Sequence, residues 1–298
     1  MDKQRLKNVV IGDFTWKRLL KSVILIYLFF AGYVYFRADS MIFFPQPSSY
    51  EDTEDILKLK SGGDTKISAV HLVNPDADYT ILYAHGNAED LGDIKQYLQK
   101  LRDFGFNVLA YDYRGYGTSE GIPTERNAYK DIDAAYNFLI NDLNIPPENI
   151  IVFGRSVGGG SAVDLAARKP VGGLILESTF TSAFQVVIPV RILPFDRFNN
   201  LAKIRNVNVP VLIMHGKADE IIPFSHAQRL YAAAPYPKLY LWVEDANHND
   251  FFWVAGDSYE QILREFIDMV SEFHKSSLKN HHREFLTVGF VINANHYK

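Results

Sequence analysis

The chain has 298 residues, 47% hydrophobic and 14% aromatic, enough to bury one large core with appendages. Its 31 basic and 35 acidic residues leave a net charge of -4, and neither sign gathers into a face, which disfavours nucleic acid as a partner. There is no cysteine, so thiol nucleophiles, disulfides and thiolate metal sites are excluded.

Taken in chain order, the first feature is the uncharged apolar run from Val23 to Phe36, which reaches back to Leu19 if Lys21 snorkels toward headgroups. Lys3, Arg5, Lys7, Lys17, Arg18 and Lys21 precede it, and only Arg37 follows closely. That asymmetry predicts residues 1–40 as a cytoplasmic amino terminus and a single membrane anchor. The remainder would lie on the non-cytoplasmic side, which in a bacterium is the periplasmic face of the inner membrane. Trp16, Tyr27, Tyr33 and Tyr35 are amphipathic aromatics of the kind found near bilayer interfaces. Two other readings fit a run this short: a cleavable signal ending near Ala38-Asp39-Ser40, or a buried helix of a soluble protein.

From residue 41 to 274 short β-branched or aromatic runs alternate with longer amphipathic stretches, which predicts a single α/β domain with a mostly parallel eight-stranded sheet flanked by helices. Strands are expected over Ile56 to Lys60 and Ile67 to Val73, an opening hairpin, and over Tyr79 to Ala84. Helix Asp93 to Phe104, strand Asn107 to Tyr111, helix Glu125 to Leu143, strand Ile150 to Phe153, helix Gly158 to Arg168 and strand Gly173 to Glu177 follow. Strand Val211 to Met214, helix Ser225 to Ala233, strand Leu239 to Val243 and helix Tyr259 to Phe273 complete the order. Between Glu177 and Val211, a stretch containing Pro189 and Pro194 leaves room for a minimal lid. Residues 275–298, with His281-His282-Arg283 and the apolar stretch Phe285 to Ile292, have no evident place in the sheet.

The chemistry is read from the strand ends. Gly154-Arg155-Ser156-Val157-Gly158 follows one strand and opens a helix, a sharp turn that needs neighbours without side-chain bulk. A serine hydroxyl at neutral pH needs an imidazole to take its proton and a carboxylate to orient that imidazole. Asp219 lies just past the strand Val211 to Met214, and His248 lies past Leu239 to Val243. Carboxyl ends of parallel strands are where open α/β sheets build their sites. Glu220 and Asp245 are rival acids, disfavoured by their places in the loops. His215 precedes the acid and is expected to be structural. The oxyanion of an acyl-transfer intermediate would be met by the backbone N–H of Val157 and by that of Asn87 in the loop His85-Gly86-Asn87-Ala88-Glu89-Asp90, with the His85 side chain bracing the loop. No grouping has convincing metal spacing, so neither metal nor cofactor is expected.

These motifs, together with Asp112-Tyr113-Arg114-Gly115-Tyr116-Gly117, His215-Gly216-Lys217-Ala218-Asp219 and Asn247-His248-Asn249-Asp250, resemble the α/β-hydrolase superfamily over residues from about Phe43 to Phe273. They look closest to its membrane-anchored, small-lid serine hydrolases, which include protein depalmitoylases. The resemblance implies Ser156, Asp219 and His248 as a triad. It also implies hydrolysis of a carboxylic ester or thioester, with a lipid or an acylated protein as substrate. A serine peptidase or amidase on the same fold, and a non-enzymatic membrane-bound interaction module, are the alternatives. Cysteine clusters used for lipid anchoring in some eukaryotic relatives have no counterpart here.

Overall fold

A computed structural model describes residues 15–188, 190 and 192–294, with side chains described as far as residue 276. Lys3, Arg5, Lys7 and Pro189, and the side chains of the stretch from His281 to Ile292, lie outside the described residues.

Helix α1 (Trp16–Ile42) leads into strands β1 (Leu57–Lys60), β2 (Lys66–Leu72) and β3 (Thr80–Ala84), followed by α2 (Lys95–Asp103), β4 (Asn107–Tyr111) and α3 (Glu125–Asn137). Next come β5 (Ile150–Arg155), α4 (Gly158–Arg168), β6 (Gly173–Glu177), α5 (Ala183–Val187), α6 (Asn200–Lys203) and β7 (Val211–Gly216). The described chain closes with α7 (Ser225–Ala233), β8 (Lys238–Val243), α8 (Phe251–Ala255) and α9 (Asp257–Ala294). The eight strands form one sheet in the order β1-β2-β4-β3-β5-β6-β7-β8. The pairs β1/β2 and β2/β4 are antiparallel and the others parallel, so the opening hairpin and the mostly parallel sheet are as expected.

Burial follows the alternation of side chains along each strand. Leu82, Val152 and Leu174 point toward α3, α4 and α7, where Ile132, Val163 and Leu230 complete one core layer. Ile81, Phe153 and Ile175 point the other way, onto Leu98 of α2, Phe251 of α8 and Leu263 and Phe266 of α9. Because both faces are covered, β3 from Ile81 to Ala84 and β5 from Ile150 to Phe153 read as unbroken apolar runs. Three helix boundaries differ from the periodicity. α2 begins at Lys95 because the Asp90 carboxylate accepts the N–H groups of Gly92 and Asp93 and holds the preceding residues in turns. The helix expected over 125–143 is capped by Thr124 at its start, but beyond Asn137 it widens into a π-helical turn over Phe138–Asp142. α9 runs past its expected end at Phe273 to Ala294.

α1 is long and apolar enough to cross a membrane. Most of its large side chains are exposed, and only Ala31, Val34 and Ala38 are buried. Ala31 and Val34 pack against Leu193, Phe184 and Phe195 of the segment between β6 and β7, while the Tyr27 hydroxyl donates to the Ile192 carbonyl (2.9 Å). The lower end is tied more firmly. The Asp39 carboxylate accepts the Glu125 N–H (3.1 Å), and Phe43 is buried among Tyr113, Tyr116 and Phe198.

Candidate active site

Ser156 sits in the first residue after β5 with φ +51°, a left-handed conformation that a side chain ordinarily avoids. The strain is held by its neighbours. The Ser156 N–H donates to the Glu177 carbonyl (2.9 Å), and the Thr179 hydroxyl donates to the Ser156 carbonyl (2.7 Å). Close approach of α4 to the sheet is what the glycines permit, since a Cβ at Gly158 would collide with the Ala84 carbonyl and one at Gly154 would lie 2.6 Å from the Gly159 Cα.

The loops after β7 and β8 bring Asp219 and His248 to this turn. His248 Nε2 is 3.0 Å from Ser156 Oγ, and His248 Nδ1 is 2.8 Å from Asp219 Oδ2. All three residues are buried. A carboxylate beside Nδ1 fixes the ring proton there, leaving Nε2 to accept from the serine hydroxyl. The other Asp219 oxygen accepts the N–H groups of Ile221 (2.9 Å) and Ile222 (2.8 Å). Burial by itself raises the Asp219 pKa, but the hydrogen bond and charge of His248, with the Ile222 N–H, outweigh it and hold the carboxyl below its ordinary value of 3.8. Glu220 and Asp245 are exposed. His215 is buried with Nε2 2.8 Å from the Ile222 carbonyl and 3.3 Å from Asp219 Oδ2, and burial lowers its pKa, so it supports the acid loop as a neutral ring.

Asn87 and Val157 border the same groove as Ser156 and His248. Among the described residues, no hydrogen bond occupies the backbone N–H of either one. The loop carrying Asn87 is braced from behind: His85 is fully buried, with Nδ1 2.7 Å from the Gly86 carbonyl and Nε2 3.2 Å from Asp112 Oδ1. Burial lowers the His85 pKa, but the hydrogen bond and charge of Asp112 more than reverse it, and the net shift is upward.

The groove has a volume of about 420 Å³ and a wall of Phe180, Val186, Val187, Ile221, Met41 and Phe44. The last two come from the foot of α1. Their attachment to the site runs through the Asn87 side chain, whose Oδ1 accepts from Phe44 N–H (3.0 Å) and Tyr116 O–H (2.5 Å) and whose Nδ2 donates to the Ile42 carbonyl (2.5 Å). Sequence reasoning missed this link, because nothing in local spacing relates residue 44 to residue 87. It also missed Arg155 and Glu177, although charged residues ending two otherwise apolar strands were a readable signal: they are register partners across β5 and β6. Among the described residues, no cluster of side chains has metal-binding character.

Comparison with known proteins agrees with this architecture. Residues 75–200 match the family model described as serine aminopeptidase, S33. Human α/β-hydrolase domain-containing protein 17B is 43% identical over 202 residues, covering 67% of this chain and 68% of the relative. The 17C protein of mouse is 38% identical over 220 residues, covering 72% and 68%. Among solved structures, an esterase of Pyrococcus furiosus superposes with a TM-score of 0.64 at 20% identity, over 75% of this chain and 98% of that one. Est1E from Butyrivibrio proteoclasticus, with ferulic acid bound, gives 0.60 at 17% identity, over 71% and 99%. At these identities the structural likeness concerns the fold alone, whereas the sequence relatives carry the kinship: the chain belongs to the α/β-hydrolase family of serine hydrolases.

Proposed function

We propose that the protein is a membrane-tethered hydrolase of carboxylic esters or thioesters, with Ser156 as nucleophile, His248 as general base and then acid, and Asp219 as the group that orients and charge-stabilises the imidazole. The observation that carries this reading is the hydrogen-bonded line from Asp219 through His248 to a serine held in a left-handed turn. Ser156 Oγ attacks the acyl carbonyl as its proton passes to His248 Nε2. The tetrahedral oxyanion is received by the N–H groups of Val157 and Asn87, one such donor being worth about 3 kcal/mol of the barrier. Collapse expels the alcohol or thiol, which takes the proton from His248, and water then releases the acyl group by the same steps in reverse. This scheme needs no cofactor.

The apolar wall of the groove supports an acyl chain as the part of the substrate bound there, as in a lipid or an acylated protein. Its position at the foot of α1 supports a membrane-borne substrate, with α1 as the anchor and the catalytic domain on the non-cytoplasmic side. An aminoacyl amide is the second reading, favoured by the description of the matching family model. Turnover of matched esters, thioesters and aminoacyl amides, with Ser156→Ala as the blank, decides between them. Preferred cleavage of amides would overturn the ester reading. Protease treatment of sealed, oriented vesicles tests the sidedness, and digestion of the domain from the cytoplasmic face would reverse it.

A further inference from the structure

We infer that Arg155 is a positioning residue that clamps the oxyanion loop and the histidine loop to the strand bearing the nucleophile. The inference rests on the triad reading above and adds to it a residue that touches none of the reacting atoms. Arg155 ends β5 one residue before Ser156, and its guanidinium is largely buried. Each edge of that fork meets a different segment. Nη1 donates to both oxygens of Glu89 (2.7 and 2.8 Å), which lies in the oxyanion loop two residues after Asn87. Nε lies 3.3 Å from Glu177 Oε1 at the end of β6. Nη2 donates to the backbone carbonyl of His248 and to Asn249 Oδ1, both at 3.3 Å.

The partners pass the restraint onward. Glu89 Oε1 also accepts the Gly86 N–H (2.5 Å), one residue before Asn87. A Cβ at Gly86 would fall 2.6 Å from that oxygen and 3.2 Å from Arg155 Nη1, so the oxyanion loop is moulded onto the ion pair itself. On the other side, Glu177 Oε2 accepts from Tyr259 O–H (2.6 Å), which ties the clamp to α9. Burial pushes the Glu177 carboxyl up while Arg155 opposes it, as expected for a guanidinium beside a buried carboxylate. A lysine would keep the charge, but a single ammonium cannot present five planar donors to three separate segments. A misplacement of about 1 Å at the reacting groups costs on the order of 100-fold in rate, so loosening either loop registers in turnover before it registers in folding.

The test compares wild type, Ser156→Ala, Arg155→Lys, Glu89→Gln and the double variant Arg155→Lys/Glu89→Gln. Three readouts are kinetics on a soluble short-chain p-nitrophenyl ester, thermal unfolding, and amide hydrogen exchange of the folded proteins. The clamp predicts that Arg155→Lys unfolds cooperatively near the wild-type midpoint, keeps KM within about threefold and loses kcat by about 100-fold. Glu89→Gln should lose less, and the double variant should be no worse than Arg155→Lys, because both act along one path. Exchange should rise together in residues 85–90 and 247–250 while β5 and β7 stay protected. Unchanged exchange in both loops, a kcat loss no larger than the lost folded fraction, or additive losses in the double variant would overturn the inference. If wild type turned over no faster than Ser156→Ala, the triad reading would fall, and the exchange pattern would still decide for or against the clamp.

Discussion

The strand ends around Ser156 and the apolar groove beside them are neighbours built on opposite terms. At the strand ends directional bonds hold the geometry: Asp219 bonds three groups, Arg155 spans three segments, and Ser156 is held in a conformation that only its surroundings maintain. At the groove, the side chains are apolar and largely exposed, with Val187 81% and Ile221 and Met41 each 53% accessible. The lesson is a division of labour. On the proposed function, directional bonds fix where the ester breaks, and the non-directional surface beside them takes the apolar chain.

Substitutions on the two sides should therefore fail in different ways. The largest effect belongs to Ser156→Ala, expected to lower kcat by about five to six orders of magnitude in steady-state turnover while the thermal midpoint barely moves. Asp219→Asn should follow at about 10⁴-fold, because the amide stabilises the wrong imidazole tautomer and cannot offset the imidazolium charge. A change on the groove side should be smaller and selective. Val187→Asp is expected to lower kcat/KM for a long-chain p-nitrophenyl ester about tenfold more than for a short-chain one, roughly the loss of two methylenes of burial. Equal losses on both esters would erase the distinction between the regions.

The smallest effect is on acid stability. Since the folded Asp219 carboxyl titrates below its ordinary value, it contributes stability that is present above that value and lost as pH falls through the folded one. Urea midpoints measured from neutral pH into the acid range should accordingly drop more steeply for wild type than for Asp219→Asn. Parallel slopes would mean that His248 does not stabilise the ionised acid.

How much of this was legible beforehand divides along the same line. Strand runs such as Ile81 to Ala84 and Ile150 to Phe153 are apolar because both faces are covered, and that pattern can be read locally. Ser156, Asp219 and His248 could be chosen because each follows a strand whose carboxyl end must lie at the same edge of the sheet. Side-chain reach is not local. The Asn87 bonds to Ile42 and Phe44 span more than forty residues, and the Arg155 fork joins β5 to loops after β3 and β8, so they became visible only with the sheet assembled. The π-helical turn at Phe138–Asp142 was hidden for another reason, since an apolar face continues through it with little change in period.

The central claim is that Ser156 is the nucleophile, and covalent mapping tests it most directly. After reaction with a fluorophosphonate, tryptic digestion and mass spectrometry, the adduct should fall on the peptide from Ser156 to Arg168, vanish in Ser156→Ala and form far more slowly in His248→Gln. An adduct on another residue, or equal labelling of Ser156→Ala, would contradict the account.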